Sequence, residues 1–187
     1  MRIAISGTHY IGKSTLIEDF IKKYPHYKYE FEPYYQLQDE GIMELSLEPS
    51  FESFLAQLDY SINQLNEYAG EQNIIFDRCP VDFLAYAMYT LDQDFIDVND
   101  SEVSERLPDV KNALNKLDLI VFLPITDENQ IKYAEENPHY RNAVDEYFKK
   151  IYRDDICEIY PRNGYPEIVE LWGDRLTRLK KLESYIK

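Results

Sequence analysis

The sequence predicts an α/β domain built on a doubly wound, five-stranded parallel sheet with a helical lid, and three observations lead there. Short apolar, β-branched runs alternate along the chain with stretches whose apolar residues recur at helical spacing. The run Leu117 to Pro124 is almost continuously apolar, as suits a strand covered on both faces. The stretch Gly7-Thr8-His9-Tyr10-Ile11-Gly12-Lys13-Ser14-Thr15 lies between the first such strand and the first such helix, with the glycine, lysine and hydroxyl spacing of a phosphate-binding loop.

At 187 residues the chain fits a single domain, 1–187, long enough to bury one sizeable core. A net charge of −15 argues against nucleic-acid partners, which are gripped through a basic stripe, but it tolerates a small phosphorylated ligand held by a few local cations. Cys79 and Cys157 are far apart, fit no metal-ligand spacing and read as structural thiols. Five residues between Met1 and Gly7 are too few for a signal peptide, and no apolar stretch approaches membrane-spanning length. No membrane partner and a cytoplasmic location are therefore expected; the oligomeric state is left open, a homodimer included.

Arg2 to Ser6 forms the first strand, and Leu16, Ile17, Phe20 and Ile21 mark the helix after the loop. Gly7 and Gly12 let backbone N–H groups curl around phosphate oxygens, Lys13 reaches the β and γ phosphates, and the Ser14 hydroxyl holds Mg²⁺. The helix dipole adds to the same site. Lys28 to Phe31 is the second strand, stopped by Pro33. Strand carboxyl ends face the ligand crevice in such sheets, so Glu32 is directed toward the loop and is a candidate base.

Glu44 to Ser50 reads as irregular, and Phe51, Phe54, Leu55, Leu58, Ile62, Leu65 and Ala69 line one face of a helix that closes near Gly70. Gln57, Ser61 and Gln64 lie on another face, either solvated or turned toward a substrate. The third strand, Asn73 to Phe76, delivers Asp77 and Arg78 to its carboxyl end. There an acid can hold Mg²⁺ and an arginine can neutralise a transferring phosphoryl group, unless the two form a surface ion pair.

Val81 to Leu91 is helical, with Asp82, Tyr86 and Tyr89 on one face, and Asp92 to Asp109 reads as a solvated loop or short helix. After the fourth strand, Thr126 to Pro138 is polar and loose, and Arg141 to Arg153 is a helix with Val144, Phe148 and Ile151 inward. A lid over about 126–153 would bring Arg141, and secondarily Arg153, over ATP; the alternative for either arginine is a pair with a neighbouring carboxylate. Glu167 to Trp172 is the fifth strand. In the last helix Leu176, Leu179 and Leu182 form the apolar stripe, while Arg175, Arg178, Lys180 and Lys181 offset acidic charge.

This plan resembles the nucleoside and nucleotide kinase group of P-loop enzymes. Beyond Gly7 to Thr15, the likeness rests on Phe31-Glu32-Pro33, on Phe76-Asp77-Arg78-Cys79 and on Arg141. Resemblance to deoxynucleoside kinases implies Glu32 as the base for a 5′-hydroxyl, Asp77 near Mg²⁺, Arg78 near the phosphoryl group, Gln57 on the substrate base and Asp82 on its sugar. The chain departs from that family at Asp77, where glutamate is usual, at Cys79, where serine is usual, and at Leu37, where an aromatic is expected. Asp77-Arg78-Cys79-Pro80-Val81-Asp82 and Arg141 to Glu146 also resemble the ribosylnicotinamide kinase domain and its AAA-type ATPase relatives. Thymidylate kinases share Glu-Pro and Asp-Arg, but carry an arginine for an acceptor phosphate where this chain has Phe31.

The expected reaction is in-line phosphoryl transfer from ATP with Mg²⁺ to a hydroxyl of a nucleoside or ribosylnicotinamide-like molecule. Tyr34, Tyr35, Phe54 and Tyr86 are candidates to stack on its ring, against ordinary packing in a tyrosine-rich chain. A regulatory ATPase without a small-molecule acceptor is the alternative. Asn115-Lys116-Leu117-Asp118 matches a guanine-reading pattern but leads into a strand instead of following one, and no Asp-x-x-Gly occurs, so a GTPase switch is not expected.

Overall fold

The computed structural model describes residues 1–39, 50–93, 101–127 and 137–186. Five strands, β1 (Arg2–Ser6), β2 (Lys28–Glu30), β3 (Ile74–Asp77), β4 (Leu119–Phe122) and β5 (Glu167–Glu170), form one sheet in the order β2-β3-β1-β4-β5. Every pairing is parallel. Helices are α1 (Lys13–Lys23), α2 (Pro33–Asp39), α3 (Phe51–Glu67), α4 (Pro80–Gln93), α5 (Ser101–Ser104), α6 (Leu107–Leu114), α7 (Pro138–Asp154) and α8 (Arg175–Glu183).

Alternating side chains build a core on each face of the sheet. Ile3, Ile5, Ile75, Leu119 and Val121 meet Leu16, Ile17 and Phe20 of α1 and Leu182 of α8. Ala4, Ile74, Phe76, Ile120 and Phe122 meet α3, α4, α6 and α7. Phe122 stacks on Phe148 and Tyr152 at centroid distances of 5.8 and 4.6 Å, and such pairs add about 0.5–1.5 kcal/mol each beyond burial. Because β1 lies between β3 and β4 while the chain winds away in both directions, a crevice opens at the carboxyl ends of β1 and β3.

The fold corrects several expectations. Gln57, Ser61 and Gln64 are buried, not solvated. The cause is that α3 packs against both α4 and α6; α6 begins within the stretch read as a solvated loop or short helix. Leu176 is two-thirds exposed, whereas Arg178 is buried one turn before Leu182, so the inward stripe of α8 is rotated from the leucine spacing. In α7, the helical half of the segment read as a lid, Val144, Phe148 and Ile151 face the core as their spacing predicts. The irregular reading of Glu44 to Ser50 up to residue 49, that of 94–100, and the loose reading of 128–136 lie outside the described residues.

Candidate functional site

The phosphate loop is shaped by its glycines. Gly7 has φ +141°, and a Cβ there would stand 2.7 Å from the Leu123 carbonyl oxygen; Gly12, at φ +93°, is the left-handed N-cap of α1. Ile11 is fully buried and anchors the loop, Thr8 is buried, and Tyr10 projects outward at φ +55°. Lys13 is buried with its Nζ donating to the Thr8 carbonyl at 2.9 Å. Burial, and then the Arg78 charge, lowers its pKa to about 8. Ser14 and Thr15 are exposed at the first turn of α1.

The end of β3 supplies the acid. Asp77 Oδ2 accepts from Ser14 Oγ at 3.0 Å and from the Tyr29 hydroxyl at 3.1 Å. Its Oδ1 is buried without a hydrogen-bond partner. Burial, with Asp77 beside it, raises the Tyr29 pKa, so the phenol keeps its proton to donate.

Arg78 follows in the left-handed region at φ +78°, which costs a side-chain-bearing residue about 1–2 kcal/mol and is offset here by its contacts. Its Nε donates to Glu32 Oε1 at 2.5 Å, and its Nη1 donates to the Gly7 carbonyl at 3.0 Å and to Asp82 Oδ1 at 3.1 Å. Burial alone would raise the Glu32 pKa, but the Arg78 and Lys13 charges and the Arg78 hydrogen bond outweigh it and leave it lowered. Glu32 is therefore an ionised carboxylate at the carboxyl end of β2.

Glu32 and Arg78 face a cavity of about 500 Å³ whose walls include His9, Tyr34, Phe54, Tyr86 and Tyr140. Phe54 stacks on Tyr86 at 5.1 Å. The Tyr86 hydroxyl accepts the His9 backbone N–H at 3.0 Å and lies 3.0 Å from His9 Nδ1. Burial, then Arg78, Lys13 and Arg141, lowers the His9 pKa to about 4, so the ring is neutral near pH 7.

Three site expectations are corrected by these positions. Asp82 has no exposed surface: Gly7 N–H, Cys79 N–H and Arg78 occupy its two oxygens, so it braces the loop instead of facing a sugar. Gln57 is buried with its Nε2 donating to the Ser53 carbonyl at 3.1 Å, and it does not line the cavity. Arg153 forms a bidentate pair with Glu170 at 2.7 and 2.9 Å, the carboxylate alternative. Arg141, by contrast, is buried on α7 with its charge felt at His9.

Other residues escaped sequence reasoning. Arg178 donates from Nη1 to the Ile11 carbonyl at 2.6 Å, and Tyr152 donates to Ser6 Oγ at 2.7 Å, tying α8 and α7 to the loop and its strand. For Arg178 the available signal was its position one turn before Leu182. Asn115 to Asp118 sits at the amino ends of the strands, the end opposite the P-loop, where Asp118 Oδ2 accepts the Arg2 N–H at 2.7 Å. That placement removes it from the nucleotide site.

A P-loop between β1 and α1, on this strand order, defines the class: an α/β P-loop domain with the nucleoside and nucleotide kinase fold. Within that class the chain belongs to the AAA domain family, whose model matches residues 2–175. No curated protein matches it by sequence. Among solved structures it is similar to the deoxyadenosine kinase from M. mycoides with bound dATP, at 19% identity and TM-score 0.66 over 98% of each chain. It is similar to the NadR protein in complex with NR, at 14% identity and TM-score 0.63, over 100% of this chain but 50% of that one. The thymidylate kinase from Candida albicans gives 18% identity and TM-score 0.60 over 98% and 89%. Among the described residues no helix is long and apolar enough to cross a membrane.

Proposed function

We infer that this chain transfers a phosphoryl group from ATP to a hydroxyl of an unphosphorylated, ring-bearing small molecule of nucleoside type. The observation that carries the reading is the ionised Glu32 carboxylate, held 2.5 Å from Arg78 at the mouth of an aromatic-walled cavity beside the P-loop. A carboxylate there orients the acceptor hydroxyl and takes its proton, help worth about 10²–10⁴-fold in such roles. Lys13 and the loop amides hold the β and γ phosphates, and Arg78 and Arg141 stabilise charge on the equatorial oxygens.

Ser14 Oγ and the partnerless Asp77 Oδ1 fit a hard divalent cation, which takes oxygen donors. Mg²⁺ bound there would neutralise charge developing on the β and γ phosphates. Among the described residues lining the cavity, Arg78 alone is positively charged, and its Nε and Nη1 are engaged by Glu32, Asp82 and Gly7. That supports an acceptor without a phosphate. Tyr34, Phe54 and Tyr86 give the cavity an aromatic wall that suits a ring-bearing acceptor, although Phe54 and Tyr86 already stack on each other; the Tyr86 hydroxyl is committed to His9.

The test is acceptor-dependent ADP release with ATP and Mg²⁺ across nucleosides, deoxynucleosides, ribosylnicotinamide and nucleoside monophosphates, with Lys13→Ala as the blank. Turnover with an unphosphorylated acceptor, lost in Glu32→Gln, is the expected result. Slow hydrolysis indifferent to every acceptor and to Glu32→Gln would overturn the reading in favour of a regulatory ATPase.

A further inference from the structure

Asp77 is held by two hydroxyls, and only one of them belongs to the P-loop. The Ser14 and Tyr29 hydroxyls both donate to Oδ2, at 3.0 and 3.1 Å, while Oδ1 remains buried and partnerless. We propose that Tyr29 is a positioning residue for the metal-binding carboxylate, its phenol fixing the rotation of the Asp77 carboxylate beside Ser14. The proposal rests on the reading of Ser14 and Asp77 as the cation's protein ligands.

The register of the sheet makes the contact possible. Tyr29 on β2 is paired with Ile75 on β3, so Tyr29, Ile75 and Asp77 project from the same face. Asp77 lies two residues beyond Ile75, about 6.6 Å along the strand. The long tyrosine side chain spans that gap, leaning along the strand with its ring against Phe31 at 4.3 Å. A phenylalanine would fill the same space but could not reach the carboxylate with a donor. A serine or threonine would fall short.

The lock matters because a carboxylate has two equivalent oxygens and a soft terminal torsion. The single Ser14 proton leaves Asp77 free to swing about that one contact. A second donor on the same oxygen fixes the plane of the carboxylate, so less side-chain freedom is lost when a cation binds. Partners of this kind, acting through a metal ligand, commonly alter metal affinity by about 10–100-fold.

The experiment compares Tyr29→Phe with the unaltered protein and with Asp77→Asn, reading Mn²⁺ affinity of the ADP-bound protein by electron paramagnetic resonance. ADP affinity without metal is measured alongside. The expected result is that Tyr29→Phe weakens Mn²⁺ about tenfold, leaves metal-free ADP affinity unchanged, and unfolds at a similar temperature. If Asp77→Asn weakens Mn²⁺ but Tyr29→Phe does not, the carboxylate binds the cation without help from Tyr29 and the proposal is overturned while the metal site stands. If neither variant matters, the metal reading fails and the proposal with it. Equal losses in metal-free and Mn²⁺-dependent ADP binding would also overturn it, showing a general disturbance of the loop.

Discussion

Arg78 Nε and Glu32 Oε1 meet at 2.5 Å between the carboxyl ends of β3 and β2, and the guanidinium that makes this contact also holds the Gly7 carbonyl. One side chain thus ties the candidate base to the first glycine of the P-loop. In Glu32→Gln the negative charge and the basic oxygen are lost while the side-chain volume is kept. Acceptor-dependent turnover should fall about 10²–10⁴-fold, with ATP affinity little changed; steady-state kinetics and a direct nucleotide titration separate the two.

Asp82 is surrounded by donors: Gly7 N–H, Cys79 N–H and Arg78 Nη1, all at 3.1 Å. Asparagine at this position must turn an NH₂ toward a donor and leaves Arg78 with less compensating charge. Asp82→Asn is expected to destabilise the fold by about 3 kcal/mol, in the range for breaking a buried ion pair. Denaturant unfolding of the nucleotide-free protein measures this, and weakened nucleotide binding should accompany it because Gly7 N–H loses its anchor.

His9 stays neutral in the folded protein down to a pKa of about 4, against 6.5 for the free side chain. Between these values the unfolded chain binds more protons, so stability is full above pH 6.5 and declines as pH falls toward 4. The loss attributable to His9 amounts to at most about 3 kcal/mol. The difference in unfolding free energy between the unaltered protein and His9→Asn, followed from pH 7 to 4, should change across that window and be flat above it.

Lys13 has the opposite consequence. With its pKa lowered to about 8 by burial and Arg78, the phosphate-free protein loses the ammonium above that pH. Phosphate binding requires the charge, so nucleotide affinity should fall by about tenfold per pH unit above 8. Titrations at pH 7, 8 and 9 test it, and Lys13→Ala should abolish the slope.

Gly7→Ala and Gly12→Ala should differ in severity. At Gly7 the new methyl meets the Leu123 carbonyl oxygen, a backbone atom, at 2.7 Å; at Gly12 it meets the Arg178 Nη1 tip at 3.2 Å, which can shift. Both carry the positive-φ penalty of roughly 1–2 kcal/mol. Gly7→Ala is expected to lose more stability and more nucleotide affinity, by thermal unfolding and direct titration.

Much of this architecture was legible along the chain because it is local. The P-loop is a run of nine residues, and strand ends are marked by where apolar runs stop, so Glu32, Asp77 and Arg78 were identifiable as neighbours of one crevice before any contact was known. The match of residues 2–175 to the AAA domain family and the kinase-like neighbours bear out the class that those motifs resembled. The rotation of α8 and the burial of Gln57 were not legible, because a helix with one clear apolar stripe says nothing about a second neighbour covering its other side.

Local spacing therefore decided the fold class, the phosphate loop and the carboxylates at the strand ends, since these follow from backbone periodicity and the direction of a strand. Tertiary structure alone decided which donors each charged group meets. Tyr29 reaches Asp77 because β2 lies beside β3 in register, Arg178 reaches Ile11 across 167 positions of sequence, and Asp82 turns inward to the loop. A buried polar atom takes whichever partner the packing brings within about 3 Å, and that choice is made by the order of strands and helices, not by residues adjacent in the chain.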